Sequence, residues 1–293
     1  MGRRRGEVAL GAMRGSERLT ALALLLLSLA AAVSRTPEAG AHLLATAGLL
    51  AVVQALARAG ARAGPLGLLR DFAPVAIVVS IFMLLQPLIV ALNPLRYDQL
   101  LAEVDARWFA SLGVAWRGAL GRPAWFTDLV YAAYVSYYLL PLVVLGAARA
   151  RRGPAAFERV AFTILLAFYL SYLGYFLWPA SGPRVPHADE ALVLGGGAVA
   201  TAVRAFLRAA EATTLDAFPS GHTALSLVPA ALGSRLFPRW APALWGWAGA
   251  VIFATVYIQV HYVVDVVAGV GLGLAALALA PALRRALGEP SGG

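Results

Sequence analysis

About eight long apolar runs punctuate the chain, near residues 19–34, 41–58, 72–93, 125–147, 157–178, 218–235, 241–259 and 261–283. An α-helix needs about 20 residues to cross the hydrocarbon core of a bilayer, and these runs approach or reach that length. Inside the core every backbone N–H and C=O must be satisfied within the segment, so such runs fold as helices. None alternates apolar and polar residues as the strands of a membrane barrel do. Of the 293 residues, 60% are hydrophobic and 13% charged, whereas soluble domains are about a quarter charged. The expected fold is therefore all-α: a polytopic membrane protein with about eight transmembrane helices, one helical domain and no soluble module.

A net charge of +9 raises the question of nucleic acid, and the placement of the charge answers it. Arg3, Arg4, Arg5, Arg14 and Arg18 precede the first run; Arg58, Arg62 and Arg70 lie between the second and third. Arg149, Arg151, Arg152 and Arg159 separate the fourth from the fifth, Arg235 and Arg239 the sixth from the seventh, and Arg284 and Arg285 follow the last. Alternate connections are basic, so the positive-inside rule makes them cytoplasmic, together with both termini. The expected partner is the bilayer, with no nucleic acid. The segments 94–124, 179–217 and the turn near 260 then face the other side. All 24 basic residues are arginine, among abundant Ala, Gly, Leu and Val. That composition fits a GC-rich bacterial genome, and hence a bacterial inner (plasma) membrane. The basic start and the run Leu19–Val33 also fit a cleaved signal peptide; a retained first helix is the preferred reading. With no cysteine in the chain, disulfides, thiolate nucleophiles and cysteine metal sites are excluded.

Two short segments carry candidate chemistry. Phe218-Pro219-Ser220-Gly221-His222 stands where an outward loop becomes a helix, a place that suits a proline in the first turn. Ser220 and the backbone N–H groups of Ser220 and Gly221 there form a candidate anion cradle, aided by the helix dipole. In His261-Tyr262-Val263-Val264-Asp265 the carboxylate follows the histidine by one helical turn, on the same face. A carboxylate inside a membrane helix is costly and takes a specific partner. Asp265 accepting a proton from one imidazole nitrogen of His261 would fix the tautomer and present the other as a nucleophile. The helices between the two histidines return the chain to the same face, which suits covalent phosphoryl transfer. Each segment alone has a plainer reading, a capped helix start and a structural His–Asp pair. Zinc would find only a minimal ligand set, so no metal and no cofactor is expected. Arg184, in Ser181-Gly182-Pro183-Arg184, suits a phosphate clamp or an interfacial contact with lipid headgroups.

The loops add further candidates. Segment 94–124 carries Asp98, Glu103, Asp105, Arg107 and Trp108 and is expected to hold a short interfacial helix. In segment 179–217, Val199, Val203, Phe206, Leu207 and Ala210 recur at helical spacing, with Arg204, Arg208 and Glu211 elsewhere on the wheel. That stretch is expected to be an amphipathic helix, either a lid over the site or a helix resting on the bilayer. His42 and His187 receive no role.

Taken in order, these segments resemble the type 2 phosphatidic acid phosphatase superfamily, over residues 72–283 and most specifically at Pro219–His222 and His261–Asp265. The resemblance implies a six-helix core at 72–283, with 1–71 a basic segment plus two accessory transmembrane helices and 284–293 a cytoplasmic tail. It implies a metal-independent enzyme that acts on a lipid-linked phosphate or diphosphate at the outer face through a phosphohistidine. His261 would be the nucleophile, Asp265 its orienter and His222 the general acid and base, with Arg184, Ser220 and Gly221 binding phosphate. The family's lysine upstream of the first-motif arginine is missing, and its Ser-Arg pair before the second histidine is replaced by Ala254 and Thr255. Gly182-Pro183-Arg184 and Tyr257–Asp265 are similar instead to the inositolphosphotransferase branch, typified by inositol phosphorylceramide synthase, which transfers a phospho-headgroup to an alcohol. Asp98, Asp105, Arg204, Arg208 and Gln259 are possible substrate contacts, the last three as substitutes for the absent cations. A non-catalytic lipid transporter or pseudoenzyme, and an intramembrane serine protease using Ser220, are the competing classes. Nothing in the sequence sets the acceptor, the donor lipid or the oligomeric state.

Overall fold

The computed structural model describes residues 13–60, 64–110, 112–184, 189–210 and 213–288; Arg3, Arg4, Arg5, Arg62, His187 and Glu211 lie outside them. Among the described residues all regular structure is helical. In chain order the helices are α1 (Gly15–Ser34), α2 (Ala39–Ala59), α3 (Gly64–Phe82), α4 (Leu85–Leu92), α5 (Asp98–Phe109), α6 (Leu112–Leu120), α7 (Ala124–Val135) and α8 (Leu139–Arg152). There follow α9 (Pro154–Leu177), α10 (Glu190–Leu194), α11 (Ala198–Ala210), α12 (Gly221–Leu236), α13 (Ala241–Tyr257) and α14 (Val263–Ala286).

Six helical stretches are long and apolar enough to cross a membrane: α1, α2, α3, the continuous α7–α8 stretch Ala124–Arg152, α9 and α14. Eight were expected. The other two, α12 and α13, have 16 and 17 residues and fall short of the usual spanning length of about 20. α12 sits at the centre of the bundle, packed against α8, α9, α13 and α14. Exposed Leu22, Leu25, Leu26 and Leu29 on α1 and Leu44 on α2 form apolar faces of the kind that lipid covers.

Prolines explain where the expected boundaries moved. The run 72–93 is two helices because Pro87 has no N–H to give the Met83 carbonyl four residues back, and the chain turns at 83–84 before α4 begins. Pro141 stands in the same relation to Tyr137, and the stretch Ser136–Tyr138 tightens to a 3₁₀ turn between α7 and α8. α11 is amphipathic as expected and rests on α7. Arg204, expected elsewhere on the wheel from the apolar stripe, is buried.

A buried ion cluster ties α1 into the bundle at the end where the basic connections lie. Arg70 donates two hydrogen bonds to Glu17, at 2.5 and 2.9 Å. Arg14 and Arg149 both pair with Asp71. The Ser16 amide and hydroxyl donate to Glu158 at 2.7 and 2.9 Å. Charges withdrawn from water in this way are sustained by matched partners.

Candidate active site

The site stands at the opposite end of the bundle, where α9 ends and α12 and α14 begin. The Phe218–Pro219 peptide is cis, and Ser220 caps α12, its hydroxyl accepting from the Thr223 amide at 3.2 Å. The Ser220 amide is not open to a ligand, because it donates to the Asp265 carbonyl at 3.0 Å. This bond staples the start of α12 to α14. Gly221 is buried, and a Cβ there would lie 2.3 Å from the Tyr175 hydroxyl, which hydrogen-bonds the Gly221 backbone. Only glycine allows that close approach.

The two histidines meet. His222 Nδ1 and His261 Nε2 are 3.1 Å apart. The other nitrogen of His261, Nδ1, lies 3.4 Å from Asp265 Oδ2. That is ion-pair range but long for a hydrogen bond, and both His261 Nδ1 and Asp265 Oδ1 are buried without a hydrogen-bond partner. Oδ2 is held by the Tyr262 amide at 2.9 Å. A small tilt of either group would close an Nδ1–H···Oδ bond. His222 lies between two tyrosine rings, with centroids 4.8 Å from Tyr134 and 4.3 Å from Tyr137.

Arg184 reaches the site from the loop after α9. Its Nε donates to the Ser181 carbonyl at 2.9 Å and a terminal nitrogen to Asp216 at 2.7 Å. The loop is pinned by Asp98, whose Oδ1 accepts from the Ser181 and Gly182 amides at 2.7 and 2.9 Å. Gly182 has φ +77°, and a Cβ there would lie 2.5 Å from the Val260 carbonyl oxygen, so this loop and the approach to His261 fit only around glycine.

The remaining candidates divide. Asp105 accepts from the Val264 amide at 3.2 Å, fastening α5 to the first turn of α14. With Pro183, Gln259, His261 and Tyr262, Asp105 lines a small cavity of about 60 Å³. Gln259 has the left-handed φ of +59°, uncommon for a residue with a side chain. Burial, then Asp98, Asp265 and Asp105, push the Tyr262 phenol above its ordinary range, so it is a neutral hydroxyl at pH 7. Arg204 is turned elsewhere: it donates to the Gly195 carbonyl at 2.9 Å and stacks over Tyr131. Arg208 is exposed on α11.

A larger cavity of about 230 Å³ opens beside His222. Its walls are the tyrosines Tyr134, Tyr137, Tyr138, Tyr172 and Tyr175, with Val79, Phe82 and Met83 of α3 and Phe206, Leu207 and Ala210 of α11. The apolar face of α11 therefore forms part of the wall next to the histidine. Asp216 and Tyr175 also line this cavity, and sequence reasoning singled out neither. The available signals were an acidic residue six positions before His222 and a tyrosine in the last turn before Trp178. Among the described residues no group of three or more His, Asp or Glu side chains is arranged to hold a metal ion.

A paired imidazole set with a buried carboxylate behind one ring and an arginine beside it can attack, protonate and bind a phosphoryl group. A family model described as the PAP2 superfamily matches residues 99–279. No curated protein and no solved structure matches the chain.

Proposed function

Because the chain belongs to the PAP2 superfamily, whose members are generally phosphatases, we propose that it is a membrane enzyme that takes the phosphoryl group of a lipid phosphate through a phosphohistidine. The 3.1 Å approach of His222 to His261, with Asp265 buried behind the latter, is the observation that carries this reading. His261 Nε2 forms a bond to phosphorus as the bond to the lipid oxygen breaks, and His222 gives that oxygen its proton. His222 then takes a proton from water, which attacks phosphorus and releases His261. Asp265 holds the tautomer that leaves Nε2 unprotonated. Arg184 binds phosphoryl oxygens and the α12 terminus adds its dipole, while Ser220 acts through its cap and Gly221 through the close packing of the helix start on Tyr175. The reaction needs no metal or cofactor. The domain runs over 72–283, behind two accessory helices in 1–71. The eight spanning helices of the chain, two accessory and six in this domain, include the short α12 and α13, both termini are cytoplasmic, and the site opens on the outer face of a bacterial inner membrane.

A second reading is headgroup transfer, in the manner of the inositolphosphotransferase branch, with an alcohol replacing water. The small cavity beside His261, to which Asp105, Gln259 and Tyr262 contribute polar groups, favours it, because those groups can hold a hydroxyl.

The test is release of phosphate from phosphatidic acid and from undecaprenyl diphosphate by purified protein in detergent with EDTA. Release that is lost in His261→Ala is expected. Wild-type protein that releases nothing, yet moves the headgroup of phosphatidylinositol to a lipid alcohol, would give the second reading precedence. Activity that needs an added divalent metal would overturn the metal-free mechanism.

A further inference from the structure

Among the described residues two charge pairs stand by the cavity. Arg184 spends part of its guanidinium on Asp216 at 2.7 Å, and His261 has Asp265 at 3.4 Å. Asp216 is not tucked behind the arginine. It lines the 230 Å³ cavity together with Gly221, His222 and Tyr175, so a carboxylate faces the His222 side of the site. Besides His222, whose proton passes to the leaving oxygen, the other polar group there is the neutral Tyr175 hydroxyl, held at the Gly221 backbone. No lysine exists in the chain, and Arg204 is committed to the Gly195 carbonyl and the Tyr131 ring.

We propose that Asp216 is a specificity-determining residue that sets this site to accept a phosphoryl group carrying one negative charge and to reject one carrying two. The proposal rests on the phosphoryl-transfer reading above. The physical reason is repulsion in a partly desolvated pocket. There Arg184 can balance one substrate charge only by sharing itself with Asp216, and a second charge meets the carboxylate with only the His222 proton, which is spent on the leaving oxygen, to offset it. Two sources supply a singly charged phosphoryl: a phosphodiester lipid, charged once at any working pH, or a phosphomonoester lipid in its singly protonated form. The second ionisation of a phosphomonoester lies near pH 6, so at pH 8 the two sources separate.

The experiment measures diacylglycerol release at pH 8 from phosphatidylmethanol, a diester, and from phosphatidic acid, then mostly the dianion. Wild type, Asp216→Asn and Asp216→Glu are compared in the same detergent micelles. In both lipids the bond that breaks joins phosphorus to the diacylglycerol oxygen, which takes a proton from His222, so one readout serves both. Removing the carboxylate should raise kcat/KM for phosphatidic acid relative to that for phosphatidylmethanol about tenfold or more. The glutamate variant, which keeps the charge, should retain the wild-type pattern and serves as the folding control. Turnover of phosphatidylmethanol by wild type identifies the diester as the source. Turnover of phosphatidic acid alone, raised in Asp216→Asn, identifies the protonated monoester. If Asp216→Asn changes both lipids alike, or lowers phosphatidic acid, the role of Asp216 is overturned while the phosphoryl-transfer reading stands. If wild type releases diacylglycerol from neither lipid, the proposal falls, and phosphate release from undecaprenyl diphosphate or headgroup transfer decides whether the phosphoryl-transfer reading falls with it.

Discussion

His222 Nδ1 and His261 Nε2 face each other at 3.1 Å, closer than any arrangement in which a phosphorus atom lies between them. On the proposed mechanism the rings part when substrate enters, His222 moving from its place between the Tyr134 and Tyr137 rings. The contact also satisfies these two facing nitrogens, since a buried polar atom without a partner is costly.

The first prediction follows from the division of labour between these rings. His261→Ala should abolish turnover. His222→Ala should lower it by about 10²–10⁴-fold while leaving the nucleophile intact. Labelled lipid phosphate should then accumulate on the His222→Ala protein as an acid-labile adduct, absent from the double variant. A His261→Ala protein that retains wild-type activity would remove the phosphohistidine from the mechanism.

Asp265 is fully buried and holds the Tyr262 amide as well as facing His261. Asp265→Asn keeps the shape but presents an amide where Nδ1–H needs an acceptor. We expect a fall in kcat of about 10⁴-fold with KM little changed, and a thermal midpoint near that of wild type. A variant that loses only stability would make Asp265 a structural residue.

Asp98 holds the Arg184 loop through two backbone amides. Asp98→Asn weakens both charge-assisted bonds, each worth about 1.5–3 kcal/mol. The expected result is a KM for lipid phosphate raised about tenfold or more, with a smaller change in kcat, because the nucleophile is untouched. Equal loss in kcat and kcat/KM would place Asp98 in the chemical step instead.

Much of this arrangement was legible in the sequence. Apolar runs and alternate arginine clusters define a helical membrane protein. The pattern Pro219–His222 with His261–Asp265 puts both histidines at one face because the intervening helices return the chain. What was not legible depends on distance in space. Asp98 and Asp105 read as substrate contacts but spend oxygens on backbone amides of Ser181, Gly182 and Val264. A carboxylate's partner is invisible when it is an amide about 83 or 159 residues away. Arg204 read as a spare cation because its wheel position is polar, yet the Gly195 carbonyl and the Tyr131 ring bury it. Asp216 and Tyr175 stood in plain view without a motif to mark them. The short α12 and α13 show that a central helix can be recognised by its apolar run and still fall below spanning length.

Gly221 offers a test that reads the Tyr175 contact directly. Gly221→Ala places a methyl group 2.3 Å from the Tyr175 hydroxyl, so activity should fall at least tenfold through displacement of the α12 start. Tyr175→Phe removes the clashing oxygen, and the double variant should recover part of what Gly221→Ala loses. Strict additivity of the two losses would show that the methyl group does its damage elsewhere.

At the far end of the bundle the Glu17–Arg70 pair predicts a stability effect without a catalytic one. Both side chains are almost fully buried, at 3% and 4% exposure. Removing one charge leaves the other uncompensated, a loss of about 3–5 kcal/mol. Glu17→Gln should therefore lower the thermal midpoint in detergent by several degrees. Replacing both partners with apolar residues, as in Glu17→Leu with Arg70→Met, should restore most of it, since the desolvation cost disappears with the charges. Glu158, in the same cluster, and Tyr175, at the site, lie on one helix 17 residues apart in sequence, about 25 Å along its axis. The kcat of whatever protein remains folded should accordingly match wild type in both variants. A double variant no more stable than Glu17→Gln would mean that the pair contributes packing geometry, not charge compensation, to the seat of α1.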